Sequence, residues 1–214
     1  MTPRRTAVVL ICAIAVCCTA QAAPAPLSFN GAEWIWFSAD PMPISQSFPG
    51  GANYFRDDLT LPDKAKIQSA DLLITADNLY TVYINGKLAG ESSANPDDWR
   101  KGKRFDVKAM LAPGRNVVAV EAVNTIPGRA GLLVKLIVRT DSGKPITLVS
   151  SDAWMCVDTE TAKWQTPAFD DKAWSVAHVV GPHGVAPWGK IPVPSKAQPG
   201  GAKITAARKK VRQA

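Results

Sequence analysis

Apolar and polar residues alternate with a period of two through most of this chain. Leu72, Ile74 and Ala76 alternate with Leu73 and Thr75, and Tyr80, Val82 and Ile84 alternate with Thr81 and Tyr83. Val118, Val120 and Ala122 alternate with Ala119 and Glu121. From Leu132 to Thr140 one face carries Leu132, Val134, Leu136 and Val138, while Lys135 and Arg139 fall on the other. This period predicts half-buried antiparallel strands. Asn85-Gly86 is the dipeptide favoured by a type I′ hairpin, where both central residues need positive φ. Pro113-Gly114 and Asp141-Ser142-Gly143 mark two more turns. A helical period appears only in short pieces, Asp106 to Leu111 and Asp170 to Val176. Short strands separated by turns predict an all-β, antiparallel β-sandwich of one domain, Phe29 to Trp188.

The ends of the chain differ from this body. Arg4 and Arg5 precede an apolar run from Ala7 to Ala15, and Ala20-Gln21-Ala22 then offers the small residues of a cleavage site. The run is shorter than the about 20 residues needed to cross a bilayer. Residues 1–22 therefore read as a signal peptide, and the mature protein as secreted or periplasmic, with no transmembrane segment. Cleavage would remove Cys12, Cys17 and Cys18 and leave Cys156, so no internal disulfide is expected. Roughly 190 remaining residues suffice for a domain that buries about two thirds of its chain surface.

The formal charge of +7 belongs to the ends. Between Ala23 and Trp188 there are 16 Lys and Arg against 18 Asp and Glu. Lys190, Lys196, Lys203, Arg208, Lys209, Lys210 and Arg212 follow with no acidic residue among them. With Pro192, Pro194, Pro199, Gly200 and Gly201 interrupting it, the stretch 189–214 reads as a flexible basic tail. Such a tail is ordinarily just solvated; as a contact it would suit anionic envelope polymers. No specific nucleic-acid motif accompanies it.

If each connection reverses the chain direction, three loops meet at one end of the sandwich. These are the turn at Asp77-Asn78, the loop from Glu91 to Lys103 with Trp99, and the loop from Asn124 to Gly131. Asp77, Asn78 and Asn124 are hard oxygen donors of the kind Ca²⁺ selects. The Trp99 indole offers an apolar face to the C–H side of a sugar ring. Asp-Asn in a turn is more often turn chemistry alone, but a tryptophan amid Asp97, Asp98, Arg100 and Lys101 is harder to assign to a core.

The order Ala32-Glu33-Trp34-Ile35-Trp36-Phe37, Tyr54-Phe55-Arg56, Ala76-Asp77-Asn78-Leu79-Tyr80 and Val82-Tyr83-Ile84-Asn85-Gly86 carries a family resemblance. Phe105-Asp106-Val107, Gly114-Arg115-Asn116, Gly131-Leu132-Leu133, Ser151-Asp152-Ala153-Trp154, Phe169-Asp170-Asp171 and Pro187-Trp188-Gly189 continue it. Together they resemble the galactose-binding-like jelly-roll modules found beside the catalytic domains of bacterial α-L-rhamnosidases. The resemblance implies a galactose-binding-like jelly roll and a carbohydrate-binding module specific for rhamnose-containing glycans. It further implies Ca²⁺ held by Asp77, Asn78, Asn124 and the Arg129 carbonyl, with Trp99 packed on the sugar.

No enzyme signature is present. Asp57-Asp58, Asp97-Asp98 and Asp170-Asp171 are sequence neighbours, whereas glycosidic carboxylates face each other at roughly 5 to 9.5 Å. His178 and His183 lack metal-helix spacing, and no Gly-x-Ser-x-Gly or His-Glu-x-x-His occurs. Trp34, Trp36, Trp154, Trp164, Trp174 and Trp188 are assigned to packing, and Cys156 to a small buried apolar role. The rival reading is a structural or protein-interaction jelly roll of the cell envelope without a sugar site.

Overall fold

In the computed structural model, which describes residues 26–39 and 47–201, the alternating segments form two sheets. The first contains β1 (Glu33–Trp36), β3 (Ile67–Asp77), β6 (Lys103–Asp106), β8 (Gly131–Thr140), β9 (Ile146–Val149), β12 (His178–Pro182) and β13 (Gln198–Pro199). Its order is β12-β1-β8-β3-β6-β13, with β9 also on β8. The second sheet has the order β11-β10-β2-β7-β4-β5. Its members are β2 (Gly51–Leu61), β4 (Leu79–Ile84), β5 (Lys87–Glu91), β7 (Gly114–Asn124), β10 (Met155–Val157) and β11 (Ser175–Val176). The pairings are antiparallel except that of β13 with β6. The protein is an all-β sandwich, as the period of two required.

Asn85 and Gly86 take φ of 52° and 79°, so the β4–β5 hairpin uses the two positive-φ residues expected of it. The Asn85 amide also works at long range: Oδ1 accepts from the Val117 N–H at 2.9 Å and Nδ2 donates to the Met110 carbonyl. Of the two short helical pieces, Lys108–Met110 forms a single 3₁₀ turn, and 170–176 runs through turns into β11.

The inward side chains of the two sheets make one core, with Phe55, Leu72, Ile74, Val82, Phe105, Val120 and Val134 at 1% exposure or less. Leu73 and Thr75, on the opposite face of β3, are buried as well. β3 is thus covered on both faces along its second half, while β2 keeps Asp58 and Thr60 on an exposed face. Outside the second sheet a smaller cluster gathers Tyr54, Val117, Ala119 and Trp164, with Phe169 and Trp174 packed on it. Arg56 ties the 158–174 stretch to that face. Its Nε donates to Asp171 at 2.8 Å, and its terminal nitrogens reach the carbonyls of Trp164, Thr166 and Phe169. Its planar fork satisfies several carbonyls at once, which suits a buried guanidinium.

Two strands share one edge of β8: β1 meets it at Ile35–Leu132 and β9 from Lys135 to Val138. Ser150 fills the join. Its Oγ accepts from the Val134 N–H at 3.0 Å and donates to the Glu33 carbonyl at 2.6 Å, so backbone groups that neither strand pairs remain satisfied.

The domain does not stop at Trp188, which corrects the expected boundary and the flexible tail over 189–201. Ile191 is buried, Gly102 N–H donates to the Pro192 carbonyl, and Arg104 donates to the Ser195 carbonyl. β13 then lies parallel to β6, and Gly200 and Gly201 donate to the carbonyls of Asp106 and Ala89. The prolines interrupt regular structure here without preventing docking, because an edge strand needs only part of a partner's hydrogen bonds. A Cβ on Gly200 would stand 2.6 Å from the Asp106 oxygen, so glycine is what lets the strap approach. The signal peptide assigned to 1–22 and the basic residues from Lys203 to Arg212 lie outside the described residues.

Candidate functional site

Counting strand reversals correctly brings the three loops to one rim. β3 ends there at Asp77, β7 at Asn124, and β8 begins there at Gly131 opposite Asp77. The chain crosses from the first sheet to the second between Asp77 and Leu79. Asn78 stitches the crossing to its neighbours. Its N–H donates to the Val123 carbonyl at 3.2 Å, and its Oδ1 accepts from both the N–H and the hydroxyl of Thr125 at 2.9 Å. Its Nδ2 donates to Asp77 Oδ1 at 2.7 Å and, more weakly at 3.4 Å, to the Pro96 carbonyl of the Trp99 loop.

Asp77 is 8% exposed, and no Lys, Arg or His forms an ion pair with it among the described residues. Its second oxygen accepts from Trp188 Nε1 at 2.9 Å. Burial pushes its carboxyl above the usual range, against the opposing pull of the Trp188 hydrogen bond and of Arg100, while Asp97 adds to the rise. Trp188 is held in place by stacking on Trp34, with ring centroids 4.7 Å apart and planes 23° from parallel. Gly131 makes room for that stack, since a Cβ there would come 2.7 Å from the Trp34 ring.

Asn124 is buried and uses Nδ2 to hold the carbonyls of Phe48 and Pro49 at 3.2 and 3.0 Å. Its Oδ1 is not engaged by any described residue. Arg129 is exposed two residues before Gly131. Trp99 sits in the 3₁₀ turn Pro96–Arg100, whose N-cap Asn95 accepts from the Asp97 N–H. The Trp99 carbonyl accepts from Thr75 Oγ1 at 2.8 Å, which fastens the turn to β3. Its indole is only partly exposed: it packs against the core, and the Arg100 guanidinium lies over the ring at 4.5 Å. The open sugar-facing indole expected from the charged loop is therefore already partly covered.

Asp77, Asn78, Thr125 and the Pro96 turn thus form one hydrogen-bonded cluster, with Asn124 on the adjoining strand end. Trp188 and Thr125 were not identified as members of this cluster from sequence. Trp188 lies 111 residues from Asp77, and only its place in the Pro187-Trp188-Gly189 pattern could have flagged it. No group of three or more His, Cys, Asp or Glu side chains suited to a metal exists among the described residues. Any cation here would depend on one carboxylate with amide and carbonyl oxygens.

Loops gathered at one end of a rigid β-sandwich are a frequent place for binding residues. No family model matches the chain. It is 37% identical over 184 residues to the α-L-rhamnosidase of Streptomyces avermitilis, a match covering 82% of this chain and 17% of that protein. The crystal structure of that rhamnosidase complexed with L-rhamnose superposes with a TM-score of 0.72 at 34% identity, over 78% of this chain and 16% of the enzyme's. A Pleurotus ostreatus lectin in complex with GalNAc gives 0.69 at 25% identity, over 81% of this chain and 50% of the lectin's. The chain is homologous to a β-sandwich module of α-L-rhamnosidases and spans about a sixth of that relative's length. No described helix is long and apolar enough to cross a membrane.

Proposed function

We propose that this chain is a secreted, non-catalytic carbohydrate-binding module whose Asp77 rim binds rhamnose-containing glycans with the help of Ca²⁺. The observation that carries this reading is Asp77 itself. A carboxylate 8% exposed, with no ion pair among the described residues and only hydrogen bonds and the Arg100 charge to offset its burial, gains from a bound cation. The likeness to a rhamnosidase solved with L-rhamnose and to a lectin solved with GalNAc supports sugar as the ligand class.

The donor set fits calcium in part. Asp77 and the Asn124 amide oxygen are hard donors with capacity left, since each carboxylate oxygen can accept more than one bond. The Asn78 amide oxygen already accepts two hydrogen bonds from Thr125, so its role is better described as orienting Asp77. The Arg129 carbonyl is a further candidate from the loop that enters β8. Bound Ca²⁺ would supply charge to Asp77 and coordination positions for vicinal sugar hydroxyls. Trp99 offers the part of its ring that Arg100 leaves open. Lys203, Arg208, Lys209, Lys210 and Arg212 are proposed as a separate, salt-sensitive contact for anionic envelope polymers.

Thermal melts with calcium titrated to several millimolar test the reading, because extracellular calcium sites can be as weak as ~0.1 to 1 mM. Wild type should melt higher with calcium, and Asp77→Ala should abolish the shift. The shift should also fade as pH drops through the raised Asp77 titration, because protons compete with the ion for the carboxylate. Trp99→Ala should keep the calcium response and weaken methyl α-L-rhamnoside binding. A wild-type melting curve indifferent to both calcium and the rhamnoside would reject this function in favour of a structural interaction domain.

A further inference from the structure

A second compartment opens at the same rim, between the two sheets. It is a pocket of about 480 Å³. The ends of β1 and β10 and the start of β2 surround it, with Trp36, Phe37, Phe48, Pro49, Asn53 and Asp158 among its lining. Its floor is aromatic: Trp36 and Phe48 are almost fully buried, with ring centroids 6.4 Å apart.

Asn53 is the residue out of pattern. It falls on the β2 face that carries Phe55, Leu59 and Leu61 into the core, where alternation calls for an apolar side chain. It is 7% exposed, lines the pocket, and no described residue hydrogen-bonds its side chain. Its amide donor and acceptor are open to the pocket rather than sealed, so they can meet a polar ligand group or water there. The β2–β10 register, which pairs Tyr54 with Val157, brings exposed Asp158 beside it. Apolar walls with a few placed polar groups are the usual make-up of a pocket for a small amphipathic ligand.

The pocket is joined to the Asp77 cluster by a single wall. Phe48 pairs with Gly128 through two backbone hydrogen bonds, and Asn124 Nδ2 binds the carbonyls of Phe48 and Pro49. Asn124 thus borders one compartment and fastens the edge of the other. Gly51 pairs with Asn124 on β7, and Leu79, next to Asn78, pairs with Val123. Two strand spacings of about 4.8 Å separate the compartments, roughly 10 Å, within the reach of a short oligosaccharide.

We propose that the pocket lined by Trp36, Phe48, Asn53 and Asp158 is a second pyranose subsite, so that the module reads an oligosaccharide rather than a terminal sugar. The half-buried Phe37 ring, backed by Trp36 and Phe48 beneath, would take the C–H face of the sugar, and the Asn53 amide its hydroxyls. This rests on the Asp77 rim being the first subsite.

Calorimetric titration of the full chain with methyl α-L-rhamnoside and with a rhamnose-terminated trisaccharide tests it. Wild type should bind the trisaccharide about tenfold more tightly, a difference of ~1.4 kcal/mol. Asn53→Leu, which keeps the volume and removes the amide, should lose that gain while its methyl rhamnoside affinity and calcium response stay unchanged. Asp158→Ala, at an exposed position that tolerates truncation, should reduce the gain if Asn53→Leu fails to fold. Equal wild-type affinities for the two sugars, or a gain that survives the folded variants, overturns the second subsite alone. Absence of binding to either sugar overturns the Asp77 reading and the second subsite with it.

Discussion

Asp57 occupies an inward position of β2 between Phe55 and Leu59, and no described cation pairs with it. Burial pushes its carboxyl up to about 6. The Asp58 N–H works against that rise, and the charges of Asp58 and Asp171 add to it. A folded-state value above the ordinary 3.8 means that stability from this residue is fully present below pH 3.8. It is lost as pH rises through about 6. Urea unfolding should therefore show falling stability across that window. Asp57→Asn should flatten it and gain at most ~2 kcal/mol at pH 7, since a half-buried carboxyl is partly screened. A residual slope of the same sign belongs to Asp77. An unchanged pH profile in Asp57→Asn would refute this account.

At the scale of elements, the strap from Lys190 to Gly201 determines where the domain ends. It covers the outer edge of β6, which would otherwise present unpaired backbone groups to another chain. A chain truncated after Gly189 loses the buried Ile191, worth ~1.5 to 3 kcal/mol, and the hydrogen bonds to Asp106 and Ala89. It should melt several degrees lower and gain a tendency to associate, measurable by light scattering. Unaltered melting would mean that the strap is ornamental. The strap was hard to read from sequence because Pro192, Pro194 and Pro199 are ordinarily breakers, while the apolar Ile191 and Val193 gave too short an alternation to weigh against them. The strands were legible for the opposite reason: β3, β7 and β8 are 10 or 11 residues long, ample for a period of two to declare itself. Burial of their second faces was not legible, since it depends on segments distant in the chain.

Across the described residues as a whole, folding rests on packing, with Cys156 a free cysteine. Cys156 is fully buried, and burial pushes its thiol up to about 12, which leaves it without thiolate at neutral pH. Protein beginning at Ala23 should melt at the same temperature with and without dithiothreitol, and iodoacetamide should label Cys156 only after unfolding. A reductant-dependent melt would point to a cross-link between chains. That Asp77, Asn124 and Gly131 share one rim is also a whole-molecule property, reached by counting chain reversals. The rim's internal wiring could not be counted in this way. That Asn78 turns its amide oxygen to Thr125, and that Trp188 reaches Asp77, follow from packing between segments that no local pattern relates.

Because the strap runs parallel to β6, away from the Asp77 end and toward the β4–β5 hairpin, the domain has a fixed polarity. Gly201 donates to Ala89 near that hairpin, so a fluorophore or bead attached at Gly201 sits on the far side from Asp77. A layer of this protein anchored at Gly201 would face every Asp77 outward, like a brush with its bristles facing the solution.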